Sequence, residues 1–169
     1  MQTGLAIKTE DPIDSVSDIT EPYLRLLTLI ERLHRQLLEV IKDELEREGQ
    51  NDVNAVQALL IYNIGDSELT AGELRTRGHY LGSNVSYNLK KLVEAGYIRH
   101  KRSDADRRSV RVSLTDEGRE LRDLISALFE RHLVSVEKVG DVHVDMVDKT
   151  NLTLDRLERF WIDQVRYRL

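Results

Sequence analysis

The sequence contains no cysteine, only two prolines, and few aromatic residues, which make up 5% of its 169 positions. The absence of cysteine excludes disulfides, thiol catalysis, cysteine-based redox sensing and cysteine-ligated zinc. No run of about 18 apolar residues occurs, so we expect no membrane-spanning segment and no membrane partner. The N-terminus lacks the basic-then-apolar order of a signal peptide, which predicts a cytoplasmic protein.

Motifs typical of enzymes are also missing. The chain has no Gly-rich phosphate loop, nucleophile elbow, HExxH motif or paired carboxylates. Its five histidines are scattered over different predicted elements, without an HxxxH pair. We therefore predict a protein that is not an enzyme and that holds no metal or other cofactor.

Charge is distributed unevenly along the chain. The whole sequence is acidic, with 25 Lys and Arg against 30 Asp and Glu, a net charge of −5. Between Thr70 and Arg111, however, ten cations face four acids, so this segment carries +6 and the remainder −11. Affinity for DNA depends on cations that meet phosphates rather than on total charge. The local balance therefore favours a nucleic-acid partner.

Apolar residues at three- and four-residue spacing predict about six helices. A possible cap at Thr20 opens the first, and a capping box formed by Thr70 and Glu73 opens the short third. The predicted helices cover about 20–49, 52–65, 70–78, 82–95, 115–140 and 145–167. The polar, acidic residues 1–19 are expected to form a flexible arm. We assign 20–49 and 116–169 to a helical region and 50–115 to a winged helix-turn-helix region.

Residues 82–115 are the most informative stretch. Val85, Leu89, Leu92 and Val93 lie at i, i+4, i+7 and i+8, so one face of this helix should be buried. Alternating residues then predict strands at 97–102 and 109–114, joined by a basic tip. A helix followed by a basic hairpin suits a duplex, since the helix enters the major groove and the hairpin reaches phosphates and the minor groove. The predicted class is mainly α, with a two- to three-stranded wing.

The opposite face of this helix carries polar residues that could contact DNA. Asn84 can read adenine through two hydrogen bonds, and lysines suit phosphates. The alternatives are that Ser83 caps the helix, that Tyr87 packs on the wing, and that the lysines form a solvated face. The candidate contacts on the helix are Ser83, Asn84, Ser86, Tyr87, Lys90 and Lys91.

The wing supplies four further candidates: Arg102, Asp106, Arg107 and Arg108. An arginine at a wing tip, such as Arg108, suits the narrow and negative minor groove. Asp106 would be repelled by phosphate, so we expect it to orient Arg107 or Arg108 through a charge-assisted hydrogen bond. The alternative is an exposed ion pair in a loop that contributes little.

The order of these elements, together with the run DRRSVRVSLT at 106–115, resembles the MarR family of bacterial winged-helix regulators, most closely over about 53–118. This resemblance implies a homodimer formed by the first and last helices and bound to a pseudo-palindromic double-stranded DNA operator. It further implies a recognition helix at 82–95 and a wing arginine in the minor groove. A repressor, or a regulator of dual sign, controlled by a small-molecule effector of unknown identity is expected. Family members that sense oxidants use cysteine, so that mode is excluded.

Two alternatives stay open. His34, Leu38 and Tyr62 lie where the long helices should meet and are candidates to line an effector pocket, or else they belong to the core. The chain could also be a winged-helix module that binds protein without operator specificity. The arginines that flank the wing tip argue against such a module, because a protein-binding wing does not need them.

Overall fold

The computed structural model describes residues 14–70, 72–74, 82–102 and 110–167. Of the short helix predicted at 70–78, residues 72–74 are described and form a helical turn. The predicted class, about six helices with a small sheet, is confirmed. The elements are α1 (Asp14–Arg47), α2 (Ala55–Ile64), β1 (Leu69–Thr70), α3 (Gly82–Glu94), β2 (Ile98–Arg102), β3 (Val110–Leu114), α4 (Asp116–Lys138) and α5 (Val144–Tyr167).

The first helix is longer than the sequence predicted. It begins at Asp14 rather than Thr20, and Pro22 lies inside it. Thr20 therefore lies within the helix and does not cap its start. Residues 14–19, which the sequence places in the arm, are therefore helical, and residues 1–13 lie outside the described part of the chain.

The second helix begins later than predicted, at Ala55 instead of about Asp52. A capping box sets this start: the Gln57 amide donates to Asn54 Oδ1, and the Asn54 amide donates to Gln57 Oε1, each at 3.0 Å. The helix ends before Gly65, whose φ of 60° favours glycine. Asp52 is consequently outside the helix.

The wing is a three-stranded antiparallel sheet in the order β1-β3-β2. Its pairing runs from Ile98 opposite Leu114 to Arg102 opposite Val110, and Leu69 of β1 lies opposite Val112. The two longer strands match the predicted hairpin, with Tyr97 just outside β2.

The buried core lies within the winged helix-turn-helix region and the two ends of the long helices that join it. It draws on the end of α1, on α2, α3 and the sheet, and on the first half of α4. Among the apolar residues of α1 from Ile19 onward, only Ile41 and Leu45 are buried, whereas Leu24 and Leu33 are 57% and 64% exposed. No residue of α5 is buried. Much of the apolar surface of α1 and α5 is thus uncovered in the single chain.

Beyond the packing of its first half in the core, α4 has one joint to the base of the wing and a second joint to α1. At the first, Thr115 caps α4 by accepting from the Gly118 amide (3.1 Å), and its hydroxyl donates to the Gly96 carbonyl (2.7 Å). The Thr115 amide also donates to the Tyr97 carbonyl at 3.1 Å. Gly118 is buried here, and a Cβ on it would lie 3.2 Å from Leu114 Cβ and closer than 3.0 Å to the Tyr97 carbonyl oxygen. Backbone therefore packs directly on backbone at the base of the wing.

The second joint is made by side chains. Glu44 of α1 has a side chain only 4% exposed, and it accepts hydrogen bonds from Arg47 and from Arg131 of α4. Both arginines are more than half exposed. A buried carboxylate thus ties α1 to α4 with its compensating charges at the surface.

Candidate nucleic-acid interface

The helix α3 has the two faces that its sequence predicted. Val85, Leu89 and Leu92 are 2%, 8% and 0% exposed and pack into the core, with Val93 beside them. This anchoring fixes which side of α3 faces outward.

The outward face carries most of the predicted contact residues. Asn84, Ser86, Tyr87, Lys90 and Lys91 are all exposed, Tyr87 to 61%. Ser83 lies in the helix, but its side chain is outside the described part of the structure. Five of the six helix candidates therefore share one accessible surface, as a groove-reading helix requires.

The two lysines of this face share one carboxylate. Lys90 Nζ lies 3.8 Å from Glu94 Oε1, and Lys91 Nζ lies 3.2 Å from Glu94 Oε2. The hydrogen bond to Glu94 and its negative charge raise the pKa of Lys91 above its usual value. Lys91 therefore carries a positive charge at neutral pH, with a counter-ion on the same helix.

The strands of the wing carry exposed arginines of their own. Arg99 and Arg111 are exposed on β2 and β3, and Arg99 Nη2 donates to the Leu114 carbonyl at 3.4 Å. Arg102 is the last residue of β2, and its side chain is not described. The predicted tip residues Asp106, Arg107 and Arg108 lie outside the described residues, so their roles stay predictions.

A buried tyrosine fastens the base of the wing to the loop before α2. Tyr97 is 8% exposed, and its hydroxyl donates to the Asp52 carboxylate, with distances of 2.9 and 3.0 Å to the two oxygens. Burial, together with the hydrogen bond to Asp52, raises the pKa of Tyr97 to about 12. The tyrosine therefore stays neutral and keeps donating over the physiological pH range.

The three candidate effector residues occupy different surroundings. Tyr62 packs edge-on against Phe129 of α4, with ring centroids 5.0 Å apart, and His34 is exposed on α1. Leu38 lines an open groove of about 400 Å³ between the end of α1 and the start of α2. The lining of that groove includes neither His34 nor Tyr62.

A larger groove lies between α1 and α5. It has a volume of about 740 Å³. Its walls include Ile30 of α1 and four apolar residues of α5: Leu154, Leu157, Trp161 and Val165. Trp161 Nε1 also donates to the Tyr23 hydroxyl at 3.3 Å, which links the two helices.

The described residues lack two features, a metal-ligand cluster and a long apolar helix. Within them, no three His, Asp or Glu side chains are placed to hold a metal ion. None of the helices there combines the length and apolar character needed to cross a membrane.

Sequence reasoning did not single out Glu94 or Asp52 as functional positions. Glu94 could have been found, because lysines three and four residues before an acid on one helix face predict ion pairs. Asp52 could not, because its partner Tyr97 is 45 positions away in the sequence.

Comparison with known proteins agrees with this geometry. Residues 53–118 match a family model described as a winged helix DNA-binding domain. Over 167 residues the chain is 36% identical to the exopolysaccharide II synthesis transcriptional activator ExpG of Rhizobium meliloti (strain 1021), covering 97% of this chain and 83% of the relative.

Solved structures share the fold. The Streptococcus pneumoniae FabT structure, in complex with DNA, is 24% identical with a TM-score of 0.64, and the match covers 83% of this chain and 98% of FabT. The Staphylococcus aureus MarR structure, in complex with salicylate and kanamycin, is 17% identical with a TM-score of 0.68, and the match covers 88% and 97%. At these identities the likeness shows the fold.

Proposed function

Since the chain belongs to the MarR family of winged-helix regulators, we propose that it acts as a homodimer on a pseudo-palindromic operator in the cytoplasm. Membership of this family makes it a DNA-binding transcriptional regulator rather than an enzyme. The observation that carries this proposal is the outward face of α3. Asn84, Tyr87 and the two lysines are exposed on it, while its other face is fixed in the core. In the operator complex α3 reads base edges in the major groove and the wing contacts the phosphates and the minor groove.

A second copy of the chain covers the apolar surface of α1 and α5. Its support is the open groove of about 740 Å³ between these helices, with Trp161 and Val165 among its walls and 37% and 82% exposed. An exposed patch of this kind marks an interaction site in a water-soluble domain. Dimerisation also meets a geometric need, because two recognition helices must lie about 34 Å apart to enter successive major grooves.

The sign of regulation is proposed from the relative that covers almost the whole chain. ExpG is named a transcriptional activator, so we assign activation to this chain. The repressor expected from the sequence is the alternative. A promoter fused to a reporter, compared with and without the regulator gene, distinguishes them: activation requires that the signal falls when the gene is deleted.

A small molecule retunes operator binding by favouring one spacing of the recognition helices over another. Support comes from the salicylate in the Staphylococcus aureus MarR structure and from the groove that Leu38 lines. Salicylate titrated into the operator complex tests this role with a defined probe. Alanine at Leu38, which lines that groove, should reduce the response. His34 and Tyr62 lie outside the lining of the groove, so a reduced response of their alanine variants alone would argue for a different pocket.

The central test is fluorescence anisotropy with the purified full chain. The intergenic DNA upstream of its own gene is compared with a scrambled duplex over a salt series. We expect tight, saturable binding to the first duplex only, at physiological salt. Equal, weak binding to both duplexes would support the winged-helix module for protein contact instead.

Two variants separate the kinds of DNA contact. Arg108→Ala should weaken binding to both duplexes and lower the salt slope by about 1 per protomer, whereas Asn84→Ala should relax preference at one base pair. Lys42→Ala, which removes a cation of α1 outside the basic segment, is the matched control. Parent-like affinity of Arg108→Ala at moderate salt would refute the role of the wing arginine.

A further inference from the structure

Glu94 is unusual on the DNA-facing helix. Its negative charge is opposite to that of its neighbours Lys90 and Lys91, and a negative charge is unfavourable at its position in the helix. It is the last residue of α3, where the helix dipole favours cations and disfavours a carboxylate. Among the acids described between Thr70 and Arg111, Glu73 has a structural explanation, since it accepts from the Thr70 amide in the capping box (2.6 Å). Glu94 has no capping role of this kind.

The contacts of Glu94 run to the two lysines instead. Each carboxylate oxygen faces a different ammonium group, Oε1 the Lys90 nitrogen at 3.8 Å and Oε2 the Lys91 nitrogen at 3.2 Å. All three side chains are between 48% and 76% exposed, so water and phosphate can reach them. A duplex that approaches this face must compete with Glu94 for both lysines.

From this arrangement we propose that Glu94 is an affinity-limiting residue, an internal counter-ion that lowers the phosphate affinity of Lys90 and Lys91. The proposal rests on the DNA-binding role of α3 argued above. A regulator that must leave nonspecific DNA to find its operator benefits from such a limit, because nonspecific affinity comes almost entirely from phosphate contacts. Glu94 thereby adjusts binding strength without touching a base.

The test uses Glu94→Gln, which keeps size and polarity but removes the charge. Its affinity for a scrambled duplex should rise about three- to tenfold per protomer at low salt, because two lysines are released. The plot of log affinity against log salt should steepen by roughly 0.9 for each lysine that gains a phosphate. Glu46→Gln is the matched control, since it removes an equivalent pair with Lys42 on α1 (3.8 Å), and it should leave the slope unchanged.

A background lacking both lysines, Lys90→Gln with Lys91→Gln, shows whether pairing is the cause. There Glu94→Gln should have no effect on the slope; an equal gain in that background would overturn the proposal in favour of simple repulsion. An unchanged affinity of the Glu94→Gln protein would also overturn the proposal. So would a lower affinity for the operator combined with a higher affinity for scrambled DNA, because that result would mean that Glu94 contacts a base. Failure of operator preference in the parent protein is a separate result, and it bears on the proposed function alone.

Discussion

Gly118→Ala should destabilise this protein, although the same exchange in most helices is favourable. Alanine exceeds glycine in helix propensity by about 1 kcal/mol. At Gly118, however, the added Cβ would lie closer than 3.0 Å to the Tyr97 carbonyl oxygen and 3.2 Å from Leu114 Cβ. The nearer neighbour is backbone, and that carbonyl already accepts from the Thr115 amide, so it cannot yield as the end of a flexible side chain could.

The size of the effect follows from these opposed contributions. Overpacking costs typically about 1–3 kcal/mol, and the gain in propensity offsets up to about 1 kcal/mol of it. Because the nearer neighbour is a backbone carbonyl, the cost should lie in the upper part of that range, about 2–3 kcal/mol. After the gain of about 1 kcal/mol in propensity, we expect a net loss of about 1–2 kcal/mol in the free energy of unfolding. For a chain of this length that corresponds to a fall in Tm of about 2–8 °C.

Urea and thermal unfolding followed by circular dichroism measure the loss, at one protein concentration because association shifts apparent stability. Gly72→Ala is the control: the nearest heavy atom to its added Cβ is Thr70 Oγ1 at 3.8 Å, an ordinary contact, so its stability should be unchanged or slightly raised. A Gly118→Ala protein as stable as the parent would refute the backbone packing described at this joint.

Two further predictions concern ionisable groups. Arg131→Ala should lower the free energy of unfolding by about 1–3 kcal/mol, more than Glu44→Gln does, because it leaves a buried carboxylate with one partner. Urea unfolding of both variants checks this order, and the reverse order would contradict the prediction. Tyr97 has a pKa of about 12 in the folded chain against 10.0 for the free side chain. Its stabilising contribution is therefore complete below pH 10 and is lost as the pH rises through 12. Tyr97→Phe should lose this part of the pH dependence and about 1 kcal/mol at neutral pH; an unaltered alkaline profile would contradict the assignment.

Local sequence patterns predicted the reading helix well. The burial of Val85, Leu89 and Leu92 follows from their spacing, and the Thr70–Glu73 box forms as the motif indicates. Both depend on residues within one or two helical turns, where geometry is nearly independent of the rest of the chain. The start of α2 was misplaced because Asp52 and Asn54 are both capable caps, and only Asn54 has Gln57 three residues later.

Contacts between distant segments were beyond prediction. The partner of Glu44 on α4 is 87 positions away, and nothing in either local pattern links the two. The effector candidates illustrate the same limit: helix periodicity identifies a buried side of α2, but it cannot say that Tyr62 meets Phe129. Which helices approach each other depends on the packing of the whole core.

The two joints of α4 differ in what holds them together: backbone groups at one, and side chains that water can reach at the other. At the base of the wing, carbonyl groups and a glycine meet without intervening side chains. A tilt of the start of α4 should therefore move the hairpin with it. Between α4 and α1 the link is a carboxylate held by two arginines that water can reach and loosen. The wing is therefore expected to keep its orientation on α4 when the contact between α4 and α1 changes.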